Sequence, residues 1–304
     1  MRIMLLGRSG QLGWELQRSL APLAELVALG RDAAANPDGL CGDLQDTRGL
    51  IDSVHTLRPD VIVNAAAFTA VDNAEAEPAL AQAINALAPA ALAQAANAVG
   101  AWLVHYSSEQ VFDGSGQQPW REDDAQAPLN VYGQSKRDGD QAVATCPHHL
   151  ILRTSWVHAA RGDNFAKTIL RLATQRDELR VVDDQMGAPT SAELLADVTA
   201  HVLRSTMAAP QLAGTYHCAA AGHVSWYAYA CFVLEQAQAL GWLLKAGRHQ
   251  VTTIPSSAYP MPAQRPLNGR LATDKLQTTF GLRLPHWQVG VARMLQEISP
   301  PHPA

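Results

Sequence analysis

Residues 2–20 read RIMLLGRSGQLGWELQRSL. The apolar run 2–7 enters Gly7-Arg8-Ser9-Gly10-Gln11-Leu12-Gly13, a G-x-x-G-x-x-G, and continues into the helical WELQRSL. Glycines at such a joint allow a tight turn, a close backbone approach to a pyrophosphate, and tight packing of helix on strand. The helix N-terminus adds free N–H groups and a positive dipole end. The pattern is weak alone and gains force only at the first strand–helix joint of an α/β chain. The reading of Gly7, Gly10, Gln11, Leu12 and Gly13 as a dinucleotide cradle, rather than a structural turn, therefore depends on the rest of the chain.

Apolar runs rich in Val, Ile and Leu alternate with helical patterns through the first half. Strands are expected at 2–7, 25–30, 60–66, 101–107 and 149–155, with helices at 11–20, 47–57, 78–99 and 131–145. Pro78 stands near the start of the third helix and Gly100 closes it. Such alternation, with near-continuous apolar strands, predicts a doubly wound α/β fold around a parallel sheet buried on both faces. After about residue 157 the rhythm is less regular. It suggests helices near 163–176, 191–205, 225–240, 272–279 and 286–299, strands at 179–182 and 214–219, and a four-proline loop at 254–266. The expected division is a dinucleotide-binding domain at 1–157, to which later segments return, and a smaller C-terminal substrate-binding lobe at 158–304.

A chain of 304 residues, 47% hydrophobic and 17% charged, has the composition of an ordinary globular protein. A net charge of -5 without runs of like charge gives no nucleic-acid footprint. The N-terminal apolar stretch is too short for a signal segment or a membrane span and reads as a first strand. Cys41, Cys146, Cys218 and Cys231 are widely spaced, without metal-binding spacing, and read as reduced thiols of a cytoplasmic protein.

At the end of the second strand, Leu29-Gly30-Arg31 puts an arginine where an NAD-selective site carries an acidic residue. The charge and flat donor fork of Arg31 suit a 2′-phosphate and thus NADPH over NADH, with a solvated turn residue as the alternative. Arg8 is near enough in sequence to assist. Asp43 and Leu44 are placed to border the adenine, and Ala65, Ala66 and Ala67, at the close of strand 60–66, are small enough to let backbone lie along the cofactor.

The helix 131–145 opens with VYGQSK, so Tyr132 and Lys136 stand four residues apart on one helical face. With six tyrosines and four lysines in the chain, this spacing arises by chance roughly one time in twelve, so context must carry it. A nearby ammonium lowers a phenol pKa and can hydrogen-bond a cofactor ribose, and the pair can hand a proton to a carbonyl oxygen as it receives hydride. Strand 101–107 delivers Ser107 and Ser108 at its C-terminal end, where open α/β sheets bind ligands. Glycine cradle, strand-end hydroxyl and helix pair follow one another along the chain, with a surface tyrosine beside a solvated lysine, and serines that merely end a strand, as the alternative.

This order resembles the extended short-chain dehydrogenase/reductases. Longer stretches, among them VIVNAAAFTAVDNAEAEP, LRTSWVHAARGDNFAKTILRLA and RPLNGRLATDKL, narrow the likeness to the branch acting on dTDP-4-keto-6-deoxy sugars, over residues 1 to about 299. The resemblance implies a Rossmann-type fold and NADPH-dependent reduction of the C4 ketone of dTDP-4-dehydro-β-L-rhamnose. It implies Tyr132 as proton donor, Lys136 as its pKa tuner and ribose anchor, and Ser108 as the hydroxyl that polarises the ketone. Glu109 and Trp156 would bind the sugar, with a core tryptophan as the alternative for Trp156. A homodimer, and a magnesium ion held by Glu15, Glu193 and Glu297, are also implied, with three solvated surface charges as the alternative. The chain departs from the family at Gln110, where an amide replaces a tyrosine beside the sugar. The Gly, Pro and acidic content of loop 109–130 is compatible with a mobile lid.

Overall fold

The apolar runs that read as strands alternate between two faces, and both faces are covered. The computed structural model describes residues 1–299, so the final five residues of the expected lobe lie outside it. In β1 (Arg2–Leu6), Ile3 and Leu5 pack with Leu16 and Leu20 of α1 (Gln11–Leu20), while Met4 and Leu6 pack on the other face with Leu50 and Val54. β2 (Glu25–Leu29) leads to α2 (Thr47–Leu57), β3 (Val61–Asn64) and a short helix, α3 (Val71–Ala76). The expected helix 78–99 is α4 (Pro78–Gln82), a π turn over Ala83–Leu87, and α5 (Ala88–Val99), ended by Gly100 in the left-handed region at φ 74°. Pro89 accounts for the π turn: it has no N–H for the carbonyl four residues back, so the helix widens there.

β4 (Trp102–Ser108), α6 (Val131–Val143) and β5 (His149–Thr154) complete the first half. Beyond them come β6 (Val157–His158), α7 (Phe165–Gln175), β7 (Leu179–Val182), β8 (Met186–Gly187), β9 (Thr190–Ser191), α8 (Ala192–Ala208) and β10 (Gly214–His217). The chain closes with β11 (Val224–Ser225), α9 (Trp226–Ala239), β12 (Val251–Ile254), α10 (Asp274–Phe280) and α11 (Trp287–Ile298).

Six strands form one parallel sheet in the order β10-β5-β4-β3-β1-β2. The order reverses between β1 and β3, and the crevice at their C-terminal ends is where doubly wound sheets take ligands. Two late segments return to this sheet: β10 pairs with β5, and Leu195, Val202 and Leu203 of α8 pack against α1 and β1. A separate core joins α7, α9 and α11 with β7 and β12 through Ile169, Tyr229, Val233 and Leu295. The Pro78–Val99 run is long and apolar enough to cross a bilayer, yet half of it is buried within the protein, as in a core helix.

Candidate active site

At the first turn, Gly7 has φ 86°, and a Cβ there would stand 2.9 Å from the backbone nitrogen of Ala66. A Cβ on Gly13 would stand 2.0 Å from the Gly7 carbonyl oxygen, so that glycine lets α1 pack on the turn. Gly10 differs, since a Cβ there would meet only the Gly7 oxygen at 3.4 Å and would otherwise project into open space. Gly10 also caps α1 without a side-chain bond, leaving the first N–H groups of the helix for a ligand. Bare N–H groups, a dipole end and a missing Cβ fit a pyrophosphate.

A cleft of about 850 Å³ opens there, lined by Gly7, Gly10, Gln11, Leu12, Arg31, Asp43, Leu44 and the backbone run Ala65–Ala67. The same cleft continues to Ser108, Glu109, Tyr132, Lys136 and Trp156. Gly13 lies beneath the turn instead of on its surface. Arg31 is exposed at the mouth, whereas the Arg8 guanidinium is committed to the carbonyls of Ala28 at 3.3 Å and Ala35 at 2.9 Å. Asp32, the first acidic residue after β2, accepts from the N–H of Ala34 and caps a turn.

β4 and α6 bring the reactive groups together. Asn130 caps α6 by accepting from the N–H of Gly133 at 2.7 Å, which fixes where Tyr132 and Lys136 start their helix. Ser108 donates to the Glu109 carboxylate at 2.8 Å. Burial pushes that carboxyl up to about 7, against the opposing bond from Ser108 and the charge of Arg265. Burial is also the main influence on the Tyr132 phenol and drives it above its ordinary value. The Glu109 and Asp140 charges push the same way, and the Ser108 hydroxyl opposes them. Tyr132 is thus a neutral phenol with its proton in place.

In this structure burial, rather than Lys136, dominates the Tyr132 phenol. The Lys136 ammonium is turned to β4, donating to the Tyr106 carbonyl at 2.6 Å and lying 3.3 Å from His105 Nε2. Burial takes it down to about 8, with Asp140 opposing. With the ammonium directed at β4, burial of the phenol prevails and Tyr132 stays protonated.

Trp156 lines the cleft and packs onto the lobe core at once, stacking on Trp226 with 3.4 Å between ring centroids and 11° between planes. Its φ of 46° is rare for a bulky residue and marks a position held by its surroundings. Gln110 lines the cleft, and its Oε1 accepts from Asn130 Nδ2 at 3.0 Å, latching the strand-end turn to α6. Nor is loop 109–130 a loose lid. Trp120 stacks on Phe112 at 4.8 Å and donates to the Asn268 carbonyl at 2.9 Å, while Asn268 in turn holds the carbonyls of Ser115 and Gln118.

The magnesium expectation is not supported. Glu15, Glu193 and Glu297 come from α1, α8 and α11 and approach closely enough that the other two raise the Glu193 pKa after burial. Yet arginines interleave them, Arg293 pairing with Glu193 at 3.2 Å and Arg18 with Glu15 at 3.5 Å. Among the described residues no three carboxylates, histidines or cysteines gather to hold a metal.

Gln185, Trp226, Arg265 and Gly269 also line the cleft; Arg265 and Gly269 fall within RPLNGRLATDKL, which carries the family resemblance, but no local spacing marks any of the four as a site residue. Arg265 lies in the proline-rich loop and pairs with Asp72 of α3 at 2.7 Å, pinning that loop over the cleft. An arginine among prolines has no local feature that foretells such a pairing.

The family model described as RmlD substrate binding domain matches residues 1–299. The chain belongs to that family. It is 53% identical over 299 residues to the dTDP-4-dehydrorhamnose reductase of Escherichia coli K12, covering 98% of each chain. The crystal structure of a dTDP-4-dehydrorhamnose reductase from Clostridium acetobutylicum superposes with a TM-score of 0.87 at 32% identity, over 99% of this chain and 100% of that one. A Bacillus anthracis dTDP-4-dehydrorhamnose reductase in complex with NADP superposes at 0.85, also 32% identical, over 97% and 99%. Family membership extends through the lobe, so α7, α9 and α11 belong to the shared fold along with the generic cofactor half.

Proposed function

We propose that the chain is the NADPH-dependent reductase that converts dTDP-4-dehydro-β-L-rhamnose to dTDP-L-rhamnose, the last step of dTDP-rhamnose synthesis. The observation that carries this is a single cleft joining the glycine cradle to Ser108, Tyr132 and Lys136, in a chain similar along its whole length to reductases of that name. In this reading residues 1–157, with α8 and β10, form the dinucleotide-binding domain, and the rest forms the substrate lobe. The location is cytoplasmic and the assembly a homodimer, for which sedimentation of the purified chain is the test.

NADPH, when bound, supplies the hydride. The first N–H groups of α1 hold the pyrophosphate, and the exposed Arg31 meets the 2′-phosphate, giving preference over NADH. Asp43 and Leu44 border the adenine, and Ala65–Ala67 lie along the cofactor. Ser108 turns its one O–H from the Glu109 carboxylate, which holds it in the free protein, to the C4 carbonyl oxygen and orients it. As hydride reaches C4, the Tyr132 Oη proton moves to the carbonyl oxygen, completing the hydroxyl, and Lys136 stabilises the phenolate left behind. Trp156, backed by Trp226, keeps water from one side of the sugar.

The test monitors NADPH absorbance with the keto sugar made in place by the two preceding enzymes. Oxidation by the wild type with a loss of 10²-fold or more in Tyr132→Phe is expected. A folded, NADPH-binding wild type that leaves this sugar untouched sinks the assignment. The commitment of Gln110 to Asn130 favours one second reading, a reductase of a related dTDP-4-keto-6-deoxyhexose, because the ring expected beside the sugar is missing. Faster turnover of an epimeric keto sugar would select it. A non-catalytic NADP-binding regulatory subunit is disfavoured because Ser108, Tyr132 and Lys136 are all retained.

A further inference from the structure

One turn beyond Lys136 on α6 stands Asp140, 2% exposed, at the i+4 position of the same helical face. Its Oδ2 accepts from Arg153 Nε of β5 at 3.0 Å, an ion pair whose side chains are both 3% exposed. Arg153 is itself fixed, donating to the Glu122 carbonyl at 3.1 Å and lying 5.4 Å from the centre of the Phe112 ring. Asp140 Oδ1 is buried and pairs with no cation among the described residues, the Ser107 hydroxyl being the one neutral group that favours its charge. A carboxylate so placed is costly unless cations answer it. Here two do, one locked in the fold and one in the active cleft.

We infer that Asp140 is a positioning residue for the reduction: it keeps Lys136 in its charged form inside a dry site, and Arg153 sets how much of its charge Lys136 receives. The inference rests on the reductase reading. The other groups around Lys136 cannot do this. On β4 the Tyr106 carbonyl and His105 accept without bearing charge, since burial keeps the imidazole neutral. Ser107, also on β4, is uncharged and acts on Asp140. From the turn after β4, Glu109 acts on Tyr132 and is itself answered by Arg265. Glu75 of α3 accepts from the N–H of Val131, and Asp138 is taken by Arg137 and Gln82. Asp140 is the one charge opposing the burial of Lys136.

A mere staple between α6 and β5 would leave the titration of Lys136 alone, and the two roles separate there. The chain has only four lysines, Lys136, Lys167, Lys245 and Lys275. Lysine labelled with ¹³C at Cε therefore gives four NMR signals, and that of Lys136 is assigned by its loss in Lys136→Arg. In Asp140→Asn the Lys136 midpoint is expected to fall by about one pH unit, a tenfold drop in the ratio of charged to neutral ammonium at a given pH. The alkaline limb of kcat should move by the same amount, and Asp140→Glu should restore both. Should Asp140→Asn fail to fold because Arg153 is left unpaired, Asp140→Leu/Arg153→Met removes both buried charges, and a fall in the same direction but smaller is expected, because the opposing Arg153 charge goes as well. A Lys136 midpoint unchanged in either folded variant overturns the inference. That readout needs no turnover, so it stands apart from failure of the substrate assignment.

Discussion

Glu109 is 5% exposed and lines the cleft, so its ionisation is costly and measurable. Burial shifts its midpoint from 4.5 to about 7. The folded chain then binds its proton more tightly than the unfolded chain, which holds the extra proton only below about 4.5. Stability therefore falls as pH rises between these values, and the loss is complete above about 7. At 1.36 kcal/mol per pH unit, the displacement is worth about 3 kcal/mol. Glu109→Gln keeps the shape and the acceptor for Ser108 but cannot ionise. Urea unfolding of both proteins at intervals from pH 4.5 to 8 should show the wild type losing about 3 kcal/mol relative to the variant, with the two curves parallel above 7. With a slope of about 3 kcal/mol per molar, this is about 1 M in the midpoint. A difference that stays constant across the whole window would refute a desolvated carboxyl at the cleft wall and return Glu109 to the class of solvated charges.

The cradle predicts a contrast between neighbours: Gly10→Ala should fold normally yet bind NADPH at least tenfold more weakly, while Gly13→Ala, driven into the Gly7 oxygen, should lose stability as well, by calorimetry and fluorescence titration. Arg31→Asp should reduce the ratio of kcat/KM for NADPH over NADH by tenfold or more, about 1.4 kcal/mol, as measured with both cofactors. Gln110→Leu leaves one buried Asn130 N–H unanswered and should cost about 1–2 kcal/mol in urea unfolding.

Much of this protein is legible in short-range pattern. The continuous apolar run of β1, the glycine turn and the four-residue spacing of Tyr132 and Lys136 depend on backbone geometry that neighbouring residues set, so they can be read without knowing what lies across the sheet. The boundaries of α1 and α2 follow for the same reason. The helix 78–99 is less regular than its composition suggests, because Pro89 widens it at a π turn whose effect is felt four residues upstream of the proline.

The electrostatics of the site belong to the tertiary structure alone. That Lys136 faces the Tyr106 carbonyl, that Glu109 titrates near neutrality, and that arginines part the three glutamates all depend on chain segments far apart in sequence arriving at one point. Trp226 and Arg265 join the cleft for that reason, from α9 and a proline-rich loop. The residue types and their helical and strand spacing were determined by sequence; which charges meet, and how dry the meeting place is, was decided only by the fold, because burial and Coulomb fields act through space and leave no periodic trace along the chain.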